Sequence, residues 1–91
     1  MKLRDALYNW LQMAIVVEGR PHDRSAHDTL QFFEEILRED HHVERVEIAD
    51  RSEDLIDVRY VTPAGEQTVS FDRQNAEQLL KDIESNPKYN Q

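Results

Sequence analysis

Two histidine–aspartate pairs stand five residues apart in this chain and hold the side chains best suited to chemistry. They are His22-Asp23 and His27-Asp28, and imidazole together with carboxylate suits zinc, manganese or iron. A small metal-dependent hydrolase that uses residues 22–28 is therefore one hypothesis for this protein. The spacing argues against it, because no helical period brings His22 and His27 to one face. The sequence accordingly predicts no metal site and no cofactor, with these four side chains as the candidates that a metal would use.

A second histidine pair, His41-His42, closes the predicted second helix. Protonated histidine interacts favourably with a helix C-terminus, and the adjacent Glu39 and Asp40 favour the same charged form. In one interpretation both histidines are exposed capping residues. In the other they form a pH-sensitive hinge between this helix and the strand that follows.

Other catalytic signatures are missing from the sequence. There is no cysteine, so a thiol nucleophile, a disulfide and a cysteine-ligated metal are excluded. No G-x-S-x-G motif occurs, and Ser25, His27 and Asp28 lie too close in sequence to form a catalytic triad. Gly19 and Gly65 are isolated, which leaves no phosphate-binding loop. We therefore predict no catalytic residue.

The first helix is predicted over residues 3–17, the longest helical pattern in the chain. Its apolar positions recur at alternating steps of four and three: Leu3, Leu7, Trp10, Ala14 and Val17. Gly19 is predicted to cap this helix in a left-handed conformation, and Pro21 cannot continue it.

A second apolar line on the first helix, formed by Tyr8, Leu11 and Ile15, makes its apolar arc wider than one core contact needs. Two interpretations follow. Either the helix lies centrally and its own chain covers it on several sides, or this line is an interaction surface for another molecule, most simply a second copy.

The second helix is predicted over residues 26–40, with Ser25 as its N-cap and Asp28 in the capping-box position. Its apolar stripe consists of Ala26, Leu30, Phe33 and Leu37, with Phe32 and Ile36 alongside. The short polar connection to the first helix predicts an antiparallel helical hairpin.

The hydrophobic period changes from helical to alternating after His42, which predicts strands over residues 43–49, 55–62 and 67–71. A last amphipathic helix is predicted over residues 73–85, with Asp72 as its N-cap. The fold class is therefore α+β in the order α-α-β-β-β-α, a three-stranded antiparallel meander with the helices packed on one face. Residues 1–86 form a single domain, and residues 87–91 a flexible C-terminal tail.

The chain has a formal net charge of −8, which argues against nucleic acid and against an anionic membrane as a partner. No membrane span or signal segment is predicted, and the protein is expected to be cytoplasmic. Nine acids lie between residues 34 and 54 against three arginines: Glu34, Glu35, Glu39, Asp40, Glu44, Glu47, Asp50, Glu53 and Asp54. This acidic ridge is explained by solubility, or by attraction to a basic partner.

These observations favour a small acidic cytosolic protein-interaction or regulatory module, with a homodimer as one form of it, and without a catalytic site. The first alternative is an acidic decoy that inhibits a basic, nucleic-acid-binding protein. The second is the metal-dependent hydrolase of residues 22–28.

Overall fold

The computed structural model describes residues 1–86 and contains the six elements in the predicted order. They are the helices α1 (Leu3–Gly19) and α2 (Arg24–His41), the strands β1 (Arg45–Arg51), β2 (Leu55–Thr62) and β3 (Gly65–Asp72), and the helix α3 (Arg73–Ser85). The strands form an antiparallel sheet in the order β1-β2-β3. The predicted α+β fold class is therefore confirmed. The flexible tail predicted for residues 87–91 lies outside the described residues.

The sheet has one covered face because apolar and polar side chains alternate along its strands. On β2 the side chains of Ile56, Val58 and Tyr60 are buried, whereas Asp57 and Arg59 between them point to the other face. Val58 is paired with Ile48 on β1 and with Val69 on β3, so one apolar row crosses all three strands. This row provides the surface on which the helices pack.

Helix α1 lies at the centre of the core. Leu7, Leu11 and Val16 are among its fully buried side chains, and the helix packs against both α2 and α3. Its indole donates a hydrogen bond from Trp10 Nε1 to Glu34 Oε2 on α2 over 3.2 Å. The excess of apolar surface on α1 is therefore covered by other elements of the same chain. No helix within residues 1–86 is long and apolar enough to cross a membrane.

The end of α1 differs from the prediction. Gly19 is the last residue of the helix and does not adopt a left-handed conformation; the C-cap is Arg20, with φ −137°. A Cβ at Gly19 would lie 2.8 Å from Leu80 Cδ2 on α3. The glycine therefore permits the close approach of α3, which no local pattern in α1 could indicate.

Helix α2 begins two residues earlier than predicted, and its N-cap is Asp23 rather than Ser25. Asp23 is extended (ψ 100°), and its side chain accepts a hydrogen bond from the backbone N–H of Ala26. Ser25 lies inside the first turn, where its carbonyl accepts a hydrogen bond from the Thr29 hydroxyl. Both serine and aspartate are favourable caps, so the sequence alone did not distinguish them.

Helix α2 ends at a left-handed residue, His42, with φ 57°. The N–H groups of His42 and Val43 both donate to the carbonyl of Leu37, that of Val43 over 3.0 Å, which satisfies a carbonyl at the end of the helix. Val43 is buried and belongs to the core cluster. The cap thus redirects the chain from α2 into β1.

Replacing His42 with glycine is expected to raise the free energy of unfolding by about 1 kcal/mol, because a side chain in the left-handed region costs about 1–2 kcal/mol that glycine avoids. Urea unfolding followed by Trp10 fluorescence measures the change. His41→Gly is the matched control, since position 41 is helical, and it should destabilise the fold. A His42→Gly variant no more stable than the wild type would contradict the argument.

Candidate interaction surface

One member of each His-Asp pair, Asp23 and His27, is engaged in local hydrogen bonds. Asp23 accepts from Ala26 N over 3.0 Å and from Arg20 Nε over 3.2 Å. The Ala26 N–H, followed by the Arg20 guanidinium, lowers the pKa of Asp23 below its ordinary value. Within residues 1–86, no group of three or more histidine, aspartate or glutamate side chains is placed to hold a metal ion.

His27 of the same segment donates a hydrogen bond from Nε2 to the carbonyl of Pro21 over 2.9 Å. This contact holds the α1–α2 connection against the first turn of α2. His22 and Asp28 are exposed. The segment therefore has a structural explanation in the start of α2, and its four side chains do not converge on one point.

The two histidines at the end of α2 have different roles. His41 donates from Nε2 to the backbone carbonyl of Met1 over 2.9 Å, which joins the end of α2 to the chain before α1. His42 is the exposed C-cap. The pH-sensitive hinge stays a prediction.

The line of Tyr8, Leu11 and Ile15, predicted as an alternative to be an interaction surface, faces the interior. Leu11 is 0% and Ile15 4% exposed. Tyr8 is half-buried, and its ring centroid lies 5.5 Å from that of Phe71 on β3. Because the sheet and the other helices cover this side of α1, Leu11 and Ile15 are not available to a partner of the folded protein, whereas Tyr8 stays partly accessible.

The outer face of the sheet carries charges that are paired with one another. Arg59 Nε lies 3.0 Å from Glu47 Oε1 and 3.7 Å from Glu66 Oε1. Asp57 accepts a hydrogen bond of 2.5 Å from the Ser70 hydroxyl. These contacts run across neighbouring strands and pair part of the charge on this face.

A different surface lies on the solvent side of α2. Five residues follow one another at steps of four, four, three and four, which places them on one helical face; they are Arg24, Asp28, Phe32, Glu35 and Glu39, called here the α2 outer stripe. All five are exposed. The stripe combines one aromatic ring with three carboxylates and one guanidinium.

Phe32 is the unusual member of the α2 outer stripe. Its side chain is 56% exposed, although the sequence placed it beside the apolar stripe of α2. The ring packs edge-to-face against Phe33, with centroids 5.3 Å apart, and Phe33 is itself half-buried against the core. Phe32 stays exposed because α2 is an outer helix that contacts α1 through its opposite side.

The charged members of the stripe are unpaired within residues 1–86. No hydrogen bond or ion pair joins Arg24, Asp28, Glu35 or Glu39 to another described side chain. Some other charges of the protein are paired, as Arg51 is with Glu18 over 2.6 Å. The stripe therefore presents its charges to solvent and to any partner.

A groove of about 530 Å³ opens beside the N-terminal half of α2, where the ends of α1 and α3 meet it. This helix-end groove has apolar walls from Met13, Val16 and Ile83, and its polar lining includes Arg24, His22 and the Arg20–Asp23 ion pair. It is thus a partly apolar recess with the Arg24 guanidinium at its edge, in a protein whose net charge is −8. Arg24 belongs both to this edge and to the α2 outer stripe.

The acidic residues around Phe32 in the sequence indicate this surface, whereas the apolar periodicity of α2 does not. Asp28, Glu35 and Glu39 share the helical phase of Phe32, so an aromatic residue surrounded by acids already indicated an outward ring.

Comparison with known proteins found no matching family model, no matching curated protein and no matching solved structure.

Proposed function

We propose that this protein is a small acidic interaction module of the cytosol that binds a protein partner through the α2 outer stripe. The observation that carries the proposal is the 56% exposure of Phe32 at the centre of unpaired charges. Partly exposed aromatic rings that become buried on association are typical anchors of protein interfaces. The proposal gives the protein a binding role and no chemical step.

The chemistry of the stripe defines the partner. Burying a phenylalanine side chain fully contributes about 1.5–3 kcal/mol, so the partner must offer an apolar recess of that size. Asp28, Glu35 and Glu39 around the ring favour basic groups at the rim of the recess, since complementary charges orient a complex and speed its association. The partner surface is therefore apolar at its centre and basic at its edge.

The acidic decoy and the metal-dependent hydrolase receive less support. A nucleic-acid mimic would act through the whole ridge of residues 34–54, yet Glu47 is paired with Arg59 and Glu34 accepts the Trp10 indole N–H. The mimic also gives no role to an exposed aromatic ring. For the hydrolase, Asp23 and His27 are engaged at the start of α2.

Replacing Phe32 with aspartate is expected to abolish partner capture, because the anchor is lost and a charge must be buried in an apolar recess. Immobilised full-length protein is used to capture partners from native lysate, and the proteins retained by wild type and variant are compared by mass spectrometry. Retention should fall by about ten-fold or more, which corresponds to the loss of about 1.4 kcal/mol or more.

Leu55→Asp is the matched control, because Leu55 is 46% exposed on β2 and the change removes an apolar side chain and adds the same charge. The Leu55→Asp variant should retain the same proteins from the lysate as the wild type does. High salt should weaken capture without abolishing it, since the apolar anchor is not screened. A Phe32→Asp variant that retains the wild-type set would refute the proposal.

A further inference from the structure

The helix-end groove supplies part of what the α2 outer stripe requires of a partner. Met13, Val16 and Ile83 form its apolar walls, and Arg24 stands at its edge beside the Arg20–Asp23 ion pair. We infer that the occupant of the stripe is a second copy of this chain, which places Phe32 against the groove while its own groove receives the same ring of the other copy. The inference rests on the proposed function of the stripe and names its partner.

The charge pattern along α2 is self-complementary when two copies lie antiparallel. Arg24 and Glu35 are three helical turns apart, about 16 Å at 1.5 Å per residue. If Arg24 of one copy lies opposite Glu35 of the other, a two-fold axis creates the same pair again at the other end. Asp28 then lies opposite Gln31, an uncharged residue, so no like charges meet.

Other antiparallel registers are less favourable. Pairing Arg24 with Glu39 brings Asp28 opposite Glu35, two carboxylates, on both sides of the axis. Pairing Arg24 with Asp28 leaves the two helices overlapping over little more than one turn. The register that joins Arg24 to Glu35 therefore combines long overlap with attractive charges, and like-charge contacts disfavour the main competitor.

This register also brings the aromatic ring to the level of the groove along α2. Phe32 of one copy lies opposite position 27 of the other, between Ser25 and Thr29 in height along the helix. Ser25 and Thr29 line the helix-end groove. The two-fold axis makes the exchange reciprocal, so one contact surface provides two aromatic anchors and two ion pairs.

Charge reversal tests the inference through rescue. Arg24→Glu and Glu35→Arg are prepared separately, mixed in equal amounts, and combined in one chain; mass in solution is measured by sedimentation equilibrium over a range of concentrations. The wild type should form dimers. Each single variant should dimerise about ten-fold more weakly or worse, because each creates two like-charge contacts.

The mixture and the double variant should both recover dimers. In the mixture, a chain with carboxylates at positions 24 and 35 faces a chain with guanidinium groups at both, and in the double variant each pair is restored with exchanged sign. Recovery also shows that the single variants are folded. Lys81→Glu on the exposed side of α3 is the control and should dimerise as the wild type does.

Each remaining outcome decides against the inference in a separate way. A wild type that stays monomeric at millimolar concentration overturns it, and the proposed function then depends on the Phe32→Asp capture experiment alone. If the wild type dimerises and both single variants dimerise equally well, the dimer contact lies elsewhere on the protein. Single variants that weaken the dimer but do not recover on mixing overturn the antiparallel register. If Phe32→Asp retains both the dimer and every captured protein, the proposed function fails with the inference.

Discussion

Replacing Leu11 with alanine is expected to lower the free energy of unfolding by about 2–5 kcal/mol, the largest effect predicted for this protein. Leu11 is 0% exposed and belongs to the core cluster that joins the helices to the sheet. Truncation removes apolar contacts and leaves a cavity, because neighbouring side chains close it only in part. For a domain of 91 residues this is a large share of the total stability.

Thermal and urea unfolding, followed by the single tryptophan, measure the effect, and the midpoint should fall by about 10 °C or more. The matched control is Leu55→Ala, the same substitution at a side chain that is 46% exposed, which should change stability by about 0.5 kcal/mol or less. Equal effects at the two positions would mean that Leu11 is accessible. The Tyr8, Leu11 and Ile15 line would then again be a candidate interaction surface.

Replacing Asp23 with alanine is expected to lower the free energy of unfolding by about 0.5–2 kcal/mol at neutral pH, because the N-cap of α2 is lost. The substitution removes the acceptor of the Ala26 N–H and the partner of Arg20 together. Urea unfolding at pH 7 measures the difference from the wild type. Ser25→Ala is the control, because serine at that position does not cap the helix, and it should be nearly neutral.

The contribution of Asp23 depends on pH in a definite direction. The Ala26 N–H and Arg20 lower its pKa in the folded state below the ordinary value of 3.8. The unfolded chain therefore takes up the proton first, and the stabilisation is fully present above about pH 3.8 and is lost as the pH falls through the folded-state pKa. The stability difference between wild type and Asp23→Ala should accordingly narrow as the pH falls from about 3.8 toward the acid limit of folding.

Asp23→Asn separates the cap from the charge. Asparagine caps a helix about as well as aspartate but does not titrate, so this variant should keep most of the stability at pH 7. Its difference from Asp23→Ala should not depend on pH. If the difference in the free energy of unfolding between wild type and Asp23→Ala is the same at all these pH values, the carboxylate charge does not contribute to the stabilisation by the cap.

The elements, their order and the apolar face of the sheet could be predicted because they follow from local sequence patterns. Side-chain period is a local property: the alternation of Ile56, Val58 and Tyr60 specifies a strand with one apolar face, whatever lies over it. The cap at Asp72 is equally local, because its side chain bonds the N–H of Asn75 three residues later. Such features need no knowledge of distant residues, and the structure agrees with them.

Which apolar side chains are covered could not be predicted in this way, because coverage depends on the packing of distant elements. Leu11 and Phe32 are both apolar residues beside a helical stripe, yet one is fully buried and the other mostly exposed. The difference is that α1 has neighbours on several sides and α2 packs on one side. Gly19 is a second example, because the atom that a Cβ there would meet at 2.8 Å is Leu80 Cδ2 on another helix. Burial depends on what packs against a residue, and in this protein that difference separates the core from the surface proposed to bind a partner.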